Sequence, residues 1–260
     1  MTPVTSDILK TFIPVGLDEM DNVRLMNRVD IKYVMSAHKI PEFLKRLDVE
    51  YRVLEINDER IFSYKTVYLD TKNYLFYNQH VTGRPQRSKV RYRTYLDSGN
   101  TFLEVKKKTS GNRTMKWRIE NHPSADNNCD SEAMEFLGRH IHEEDLSLQP
   151  VIINEFRRIT FVRQEMNERM TVDFNLSFRC NETDSFYLPG IAILELKKEY
   201  FSARSCAAGI LKDLYVYPTS FSKYCVGVSA LCNVPKKNLI KSKMLLINKI
   251  ENEFNSCISA

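Results

Sequence analysis

Lysine and arginine recur at alternate positions through residues 87–120, RSKVRYRTYLDSGNTFLEVKKKTSGNRTMKWRIE. Lys89, Arg91 and Arg93 alternate with Val90, Tyr92 and Thr94; Glu104, Lys106 and Lys108 with Leu103, Val105 and Lys107; Lys116 and Arg118 with Met115, Trp117 and Ile119. An extended chain turns successive side chains to opposite faces, so each run has one cationic and one largely apolar face. Asp97-Ser98-Gly99-Asn100 and Thr109-Ser110-Gly111-Asn112 carry hairpin signals, and three antiparallel neighbours gather these cations on one surface. The chemistry on offer is recognition of a dense anion, with bidentate arginine forks and movable lysine charges. Two cations ~5 Å apart repel by roughly 3 kcal/mol at an effective dielectric near 20. Such an array is unfavourable until an anion fills it.

A charged strand face is ordinarily just solvated, but here the pattern recurs. Arg28, Asp30 and Lys32 alternate with Val29, Ile31 and Tyr33; Phe156, Arg158 and Thr160 share a face, as do Arg169, Thr171 and Asp173, and Glu195 and Lys197. Ionic residues at period two in so many runs predict an α+β fold: a β-barrel with a cationic lumen and an apolar exterior covered by helices.

The 260 residues suffice for one domain spanning 1–260, with a core over about 20–230 and no Pro/Gly/Ser-rich linker or repeat. A net charge of +5, carried on strands and not in a basic tail, favours a focused anion site over a diffuse nucleic-acid or membrane surface. The six cysteines form no CxxC or CxxH pair, which argues against structural zinc. Without a signal peptide they are expected to be reduced thiols of a cytoplasmic protein. No apolar run approaches the ~20 residues of a membrane span.

The remaining elements frame these strands. Residues 2–27 are weakly patterned, with a short helix expected near 23–26, and should pack across the outside. A strand over 28–35 precedes a helix over 41–47, and a strand over 60–70 brings Tyr68 and Leu69, with Tyr74, Leu75 and Phe76, as core aromatics and aliphatics. After a polar loop at 122–130, Asp130 or Ser131 caps a helix bearing Met134, Leu137 and Ile141. His140 and His142 near its end read as surface residues. Strands over 151–162, 169–178 and 191–198 follow, the first two joined by a polar turn at 164–168. Ser202 caps an alanine-rich helix to about residue 214, and a second helix starts near Ser222. Lys223 at that start opposes the helix dipole, which hints at an anion held nearby. Residues 236–254 are amphipathic, with Leu239, Met244, Leu245, Ile247, Ile250 and Phe254 on the apolar side; they pack across the barrel or against a partner.

Nine short motifs resemble one family: RxDxKY at 28–33, VYLDT at 67–71, KVRYR at 89–93, LEVKKK at 103–108, KxR at 116–118, FRRxTF at 156–161, RxTVD at 169–173, LELK at 194–197 and SKY at 222–224. In this order they are similar to the VTC domain, the polyphosphate polymerase module of the triphosphate tunnel metalloenzymes. The resemblance implies an eight-stranded antiparallel β-barrel. It implies that Lys32, Arg91, Arg93, Lys106, Lys116, Arg158, Arg169 and Lys223 bind the triphosphate and product chain of an ATP:polyphosphate phosphotransferase. It also implies that Glu195 holds a divalent Mn²⁺ or Mg²⁺, and it makes an integral-membrane protein a candidate partner, with the C-terminal helix as the candidate contact. Arg28, Lys89, Lys108, Arg118 and Lys197 are expected to add substrate contacts, and Glu104 and Asp30 are further metal candidates. Two positions depart from the pattern: Asp30 stands where many relatives have Glu, and Phe156 where a Tyr is expected.

Three functions remain open. If water attacks the phosphate, a base or second metal must activate it; if the terminal phosphate of a growing chain attacks, the nucleophile is already ionised. The few inward acids are Asp30, Glu104, Asp173 and Glu195, with Glu120 one step beyond Arg118, and Glu104 and Asp173 could equally orient Lys106 and Arg169. This balance favours polymerase over tripolyphosphate or nucleotide hydrolase. A non-catalytic polyphosphate sensor would use the same lumen. Single-stranded nucleic acid is disfavoured as a partner, because on strict alternation Tyr92 and Trp117 face away from the cations and only Tyr95 lies beside them.

Overall fold

The alternation is realised as strands. The computed structural model describes residues 3–21, 28–47, 50–110, 113–123, 129–141, 147–165, 168–199 and 205–258. The helix expected at 23–26, the Ser202 cap, His142 and the Gly111-Asn112 turn lie outside these residues. Strand β1 (Pro14–Val15) is followed by β2 (Arg28–Ser36), β3 (Tyr51–Leu54) and β4 (Phe62–Thr71). The hairpin strands β5 (Arg87–Tyr95), β6 (Thr101–Lys108) and β7 (Thr114–Glu120) precede β8 (Leu148–Arg163), β9 (Glu168–Arg179), β10 (Ser185–Leu188) and β11 (Ile191–Glu199). Between β5 and β6 the chain reverses at Gly99, whose φ of +78° is left-handed and suits glycine, as the Tyr95 and Asn100 backbones pair at 2.9 Å.

The main sheet path runs β2-β11-β9-β8-β4-β5-β6-β7, antiparallel throughout, with β1, β3 and β10 attached beside it. Eight strands therefore follow one another as expected, but no pairing joins β7 to β2 among the described residues, so the sheet is open and not a closed barrel. The sheet nevertheless curls strongly: Lys106 on β6 lies in the field of Glu195 on β11, with four strands between them along the path. The free edge of β2 meets a connecting segment instead, through a Tyr33–Pro218 bridge and a Thr219 N–H donated to the Lys32 carbonyl at 2.8 Å.

Helices cover the convex side. The first, α1 (Pro3–Thr11), is followed by α2 (Leu17–Asp21), α3 (Ile40–Leu47), α4 (Leu75–Val81), α5 (Ser131–His140) and α6 (Cys206–Asp213); of these, α2 and α4 also reach the concave-side cluster through Met20 and Tyr77. One apolar cluster joins Ile8, Phe12, Phe43 and Leu211 to the outward residues Tyr33, Phe161, Val172 and Leu194. A second packs Phe136 and Leu137 of α5 against Val90, Tyr92, Leu103 and Val105. Fully burying each such side chain contributes about 1.5–3 kcal/mol. The Asp130 carboxylate caps α5 by accepting the Ala133 N–H at 2.8 Å, worth about 1 kcal/mol. His140 is not a plain surface residue: its ring stacks on Trp117 at 4.5 Å. The helix expected from Ser202 begins at Cys206, capped by Ser205.

The concave side departs from a wholly polar lumen. A third cluster includes Val34, Tyr64, Tyr68, Ile152, Phe156, Phe178 and Ile193, all inward, with buried residues of α7 (Lys223–Leu231) and α8 (Lys241–Ile258). Helix α7 lies so close that a Cβ on Gly227 would meet Phe178 at 2.6 Å and Ile152 at 3.0 Å, an overlap costing about 1–3 kcal/mol. The concave face is thus divided into an apolar part plugged by α7 and an ionic part. The C-terminal helix α8 packs across the sheet through Ile247 and Ile250, and Glu251 accepts the Gly190 N–H at 2.9 Å. No helix of the described residues is long and apolar enough to cross a membrane, and none of the six cysteines is disulfide-bonded.

Candidate functional site

Register brings the expected side chains together. Along the path, Lys32 stands opposite Glu195, Lys197 opposite Arg169, Asp173 opposite Arg158, Arg91 opposite Glu104, and Lys106 between Lys89 and Lys116. Arg118 pairs in register with Glu104 and lies over the Phe102 ring at 4.8 Å. Asp30 stands opposite Lys197, and Lys108 opposite Arg87. Arg28 opens β2, but its side chain lies outside the described residues. The face holds across the bulge where β8 meets β9, at which Asn175 takes a left-handed φ of 51°.

The inward carboxylates are each clamped by cations. Asp173 accepts a bidentate pair from Arg158 at 2.5 and 2.8 Å and also bonds Lys223. The anion hinted at by the placement of Lys223 is therefore the protein's own Asp173. Glu104, 1% exposed, bonds Arg91 at 2.7 Å and Lys116 at 2.5 Å. Glu195 takes Lys32 at 2.8 Å and Lys197 at 2.9 Å, and Lys197 reaches Asp30 at 3.1 Å. Burial alone would raise these carboxyls, but the cations outweigh it: Arg91, Arg93 and Lys116 hold Glu104 down, Arg158 and Lys223 hold Asp173 down, and Lys32 and Lys197 hold Glu195 well below the usual range.

Among the described residues Lys89, Lys106 and Arg93 make no ion pair with a carboxylate, whereas Lys223 does. Lys89 donates to the neutral Ser222 hydroxyl at 3.0 Å. Burial, reinforced by Lys106, Arg91 and Lys32, pushes its ammonium down to about 8. Lys106 sits in a solvent-reachable hollow yet is ringed by protein; burial, with repulsion from Lys32 and Lys197, also lowers it to about 8 against the pull of Glu195. Lys223 falls to about 8 mainly through burial, in spite of Asp173. Arg93 lies 6.0 Å from the Tyr64 ring centroid, and its Nε has no hydrogen-bond partner.

Polar residues without charge complete the face: Thr171, which alternation already places beside Arg169 and Asp173, and Thr66 and Asn154, which it does not single out. Among the described residues Thr66 Oγ1, Asn154 Oδ1 and Thr171 Oγ1 are buried without a hydrogen-bond partner, and all three point to the concave side between the cations. Buried polar atoms left so are uncommon and mark a place completed by something else. Tyr64 stacks on Phe156 with ring centroids 5.2 Å apart, and this pair backs Arg158 and Lys223 at 4.4–5.3 Å. Phe62, Tyr64, Thr66 and Tyr68 also alternate, but they carry no charge to mark that face, and of the four only Tyr68 is among the core aromatics expected from the sequence. Tyr92 and Trp117 face the convex side, as strict alternation requires.

The donors for a divalent ion are sparse. Among the described residues no three His, Cys, Asp or Glu side chains gather as a metal-holding group. Both Glu104 oxygens are engaged by Arg91 and Lys116, whereas Lys32 and Lys197 both bond Glu195 on Oε1, so Glu195, with Asp30 across Lys197, is the acid best placed to share an ion. Such a set suits an ion that also keeps water and substrate phosphate oxygens, as Mg²⁺ commonly does, and not an all-protein cage.

Solved structures align with the chain at low identity. A candidate adenylate cyclase from Vibrio parahaemolyticus is 14% identical over 77% of this chain and 97% of its own, with a TM-score of 0.48. A candidate adenylyl cyclase from Hippeastrum, described as having a dominant triphosphatase activity, is 14% identical over 81% and 98%, with a TM-score of 0.47. The Pct1 RNA triphosphatase of S. pombe is 8% identical over 75% and 79%, with a TM-score of 0.32. No curated protein matches the chain. The model of the VTC domain matches residues 27–232, from the start of β2 to the end of α7 and so across every cation-bearing strand: this chain belongs to the VTC domain family.

Proposed function

We propose that the protein is a metal-dependent polyphosphate polymerase that moves the γ-phosphate of ATP onto a growing polyphosphate chain. The observation that carries this reading is the imbalance of the concave face. Its acids are occupied by cations, while among the described residues no carboxylate makes an ion pair with Lys89, Lys106 or Arg93. A polyanion would supply the missing charge, and its oxygens would satisfy Arg93 Nε and the Thr66 and Thr171 hydroxyls.

The clamped acids bear on the choice of nucleophile. Hydrolysis needs a base to take a proton from water, and Glu104, Asp173 and Glu195 are each committed to two cations and held in the ionised, weakly basic form. Chain transfer needs no such base. An oxygen of the terminal phosphate attacks Pγ, the Pγ–O bond to the β-phosphate breaks, and ADP leaves with that electron pair. Arg91, Arg93, Arg158 and Lys223 would orient the phosphoryl groups and offset charge developing on their oxygens, while Lys32, Lys106, Lys116 and Arg169 hold the flanking units. A divalent ion bound by Glu195 and the substrate phosphates would supply further neutralisation of that charge.

Incubation with ATP and Mn²⁺ or Mg²⁺, resolved on a gel, tests the assignment. Long polymer with stoichiometric ADP is expected; orthophosphate without polymer would move the protein to the triphosphatases. The sparse donor set also supports a second reading, a polyphosphate-binding module without turnover. Polyanion binding with no ATP consumption under either metal would favour that reading.

A further inference from the structure

A cavity of about 840 Å³ lies where β2 comes opposite the starts of β5 and β7 and the end of β6, at the unclosed seam of the sheet, with the 218–222 segment, α4, α7, residues 239–240 and α8 as its other walls. Six cations line it: Lys32, Arg87, Lys89, Lys106, Lys108 and Lys243. Among its described lining residues Asp30 is the one carboxylate, and Asp30 is already bonded to Lys197. Beyond Lys32, three of these cations bond neutral groups: Lys89 the Ser222 hydroxyl, Arg87 the Arg84 carbonyl, and Lys243 the Thr219 hydroxyl 2.8 Å away. Lys243 belongs to α8, outside the 27–232 segment that matches the family.

We infer that this seam cavity holds the body of a condensed-phosphate chain whose end reacts deeper in the sheet, and that Lys243 is a chain-binding residue added by the C-terminal helix. The inference rests on the polyphosphate reading above. Two further observations select the ligand class. The cavity is at the upper end of the ~300–1,000 Å³ typical of small-ligand pockets, and its cations run from Lys32 and Lys106 within the sheet to Lys243 at the rim, so it suits an extended anion and not one phosphate. Its aromatic lining is Phe221, itself buried, and His80, so it offers no exposed platform on which successive bases could stack.

The polarity of the path follows. Asp173, Arg158 and Lys223 lie against the Tyr64–Phe156 wall and the α7 plug, whereas the acid-poor lysines lie at the opening. A chain threaded through the seam has its terminus toward the former and its length over α8.

Calorimetric titration of wild type, Lys243→Ala, Lys243→Glu and Lys243→Arg with tripolyphosphate and with long-chain polyphosphate tests this, with thermal melts to confirm folding. Lys243→Ala should weaken long-chain binding by about three- to fivefold, the range for one partly exposed charge contact, and tripolyphosphate binding by less. Lys243→Glu should weaken it further, and Lys243→Arg should restore it. Equal losses for both ligands, or no loss for either, would overturn the assignment while leaving wild-type polyphosphate binding intact. Wild-type protein that binds neither ligand would instead overturn the polyphosphate reading and this inference together. A single-stranded oligonucleotide bound as tightly as long-chain polyphosphate, with the same dependence on Lys243, would replace the phosphate chain by nucleic acid.

Discussion

The two parts of the ionic face differ in how their charge is matched. Around Asp173 and Glu104 each buried carboxylate is held by two cations. Around Lys89, Lys106 and Lys243 the cations rest on hydroxyls or on nothing the described chain supplies. The first arrangement is complete in the free protein and serves its stability and shape. On the polyphosphate reading proposed above, the second is completed by the bound chain, so its cost is borne by the free protein and recovered on binding. Similar residue types thus do structural work in one place and recognition in another, and the nearest carboxylate decides which.

Substitutions separate the two roles. Asp173→Ala should have the largest effect, because it leaves Arg158 and Lys223 buried without their counter-ion; a loss of about 3–5 kcal/mol is expected in denaturant unfolding. Stability within 1 kcal/mol of wild type, on that scale, would mean the pair is not a structural element. Lys106→Met should act in the opposite sense. Tripolyphosphate affinity should fall about ten- to a hundredfold, as for loss of a charged hydrogen bond of about 1.5–3 kcal/mol, while the melting temperature holds or rises. A drop in both would erase the distinction.

A pH series sharpens the same contrast. Lys89 and Lys223 are lowered to about 8 in the folded protein, against 10.5 ordinarily. Between those limits the unfolded chain binds protons that the folded one has shed, so these groups make stability rise with pH across the window. Anion affinity should fall over the same window as the ammonium charges are lost. Unfolding and titration at pH 7.5, 8.5 and 9.5, as bracketing points about those values, should show opposite slopes; parallel slopes would remove the lysines from the site. Smallest of all, Lys116→Ala should cost under about 1 kcal/mol. Lys116 is 44% exposed and Arg91 still holds Glu104. Double-mutant cycles with Glu104→Gln would measure that remainder.

What was readable in the sequence was whatever obeys period two. β5, β6, β7 and β2 place Lys89, Arg91, Lys106, Lys116 and Lys32 on the face that alternation assigns, because neighbouring strands in register leave no other choice. What escaped depends on contacts between distant segments. Thr66 and Asn154 become inward polar atoms only when β4 meets β8. The missing closure between β2 and β7 is a matter of a bridge at Pro218, not of composition. The apolar plug was hidden because Val226, Gly227 and Val228 read as any buried helix, with nothing to say on which side of the sheet they lie.

The Pro218 contact has a consequence of its own. Proline has no N–H, so the segment beside β2 cannot extend its bridge into a full ladder, and an exposed edge that would invite another chain's strand is covered without becoming a new template. It also leaves the hoop unfastened: on the polyphosphate reading proposed above, a chain entering between β2 and β7 has no ladder hydrogen bond to break there.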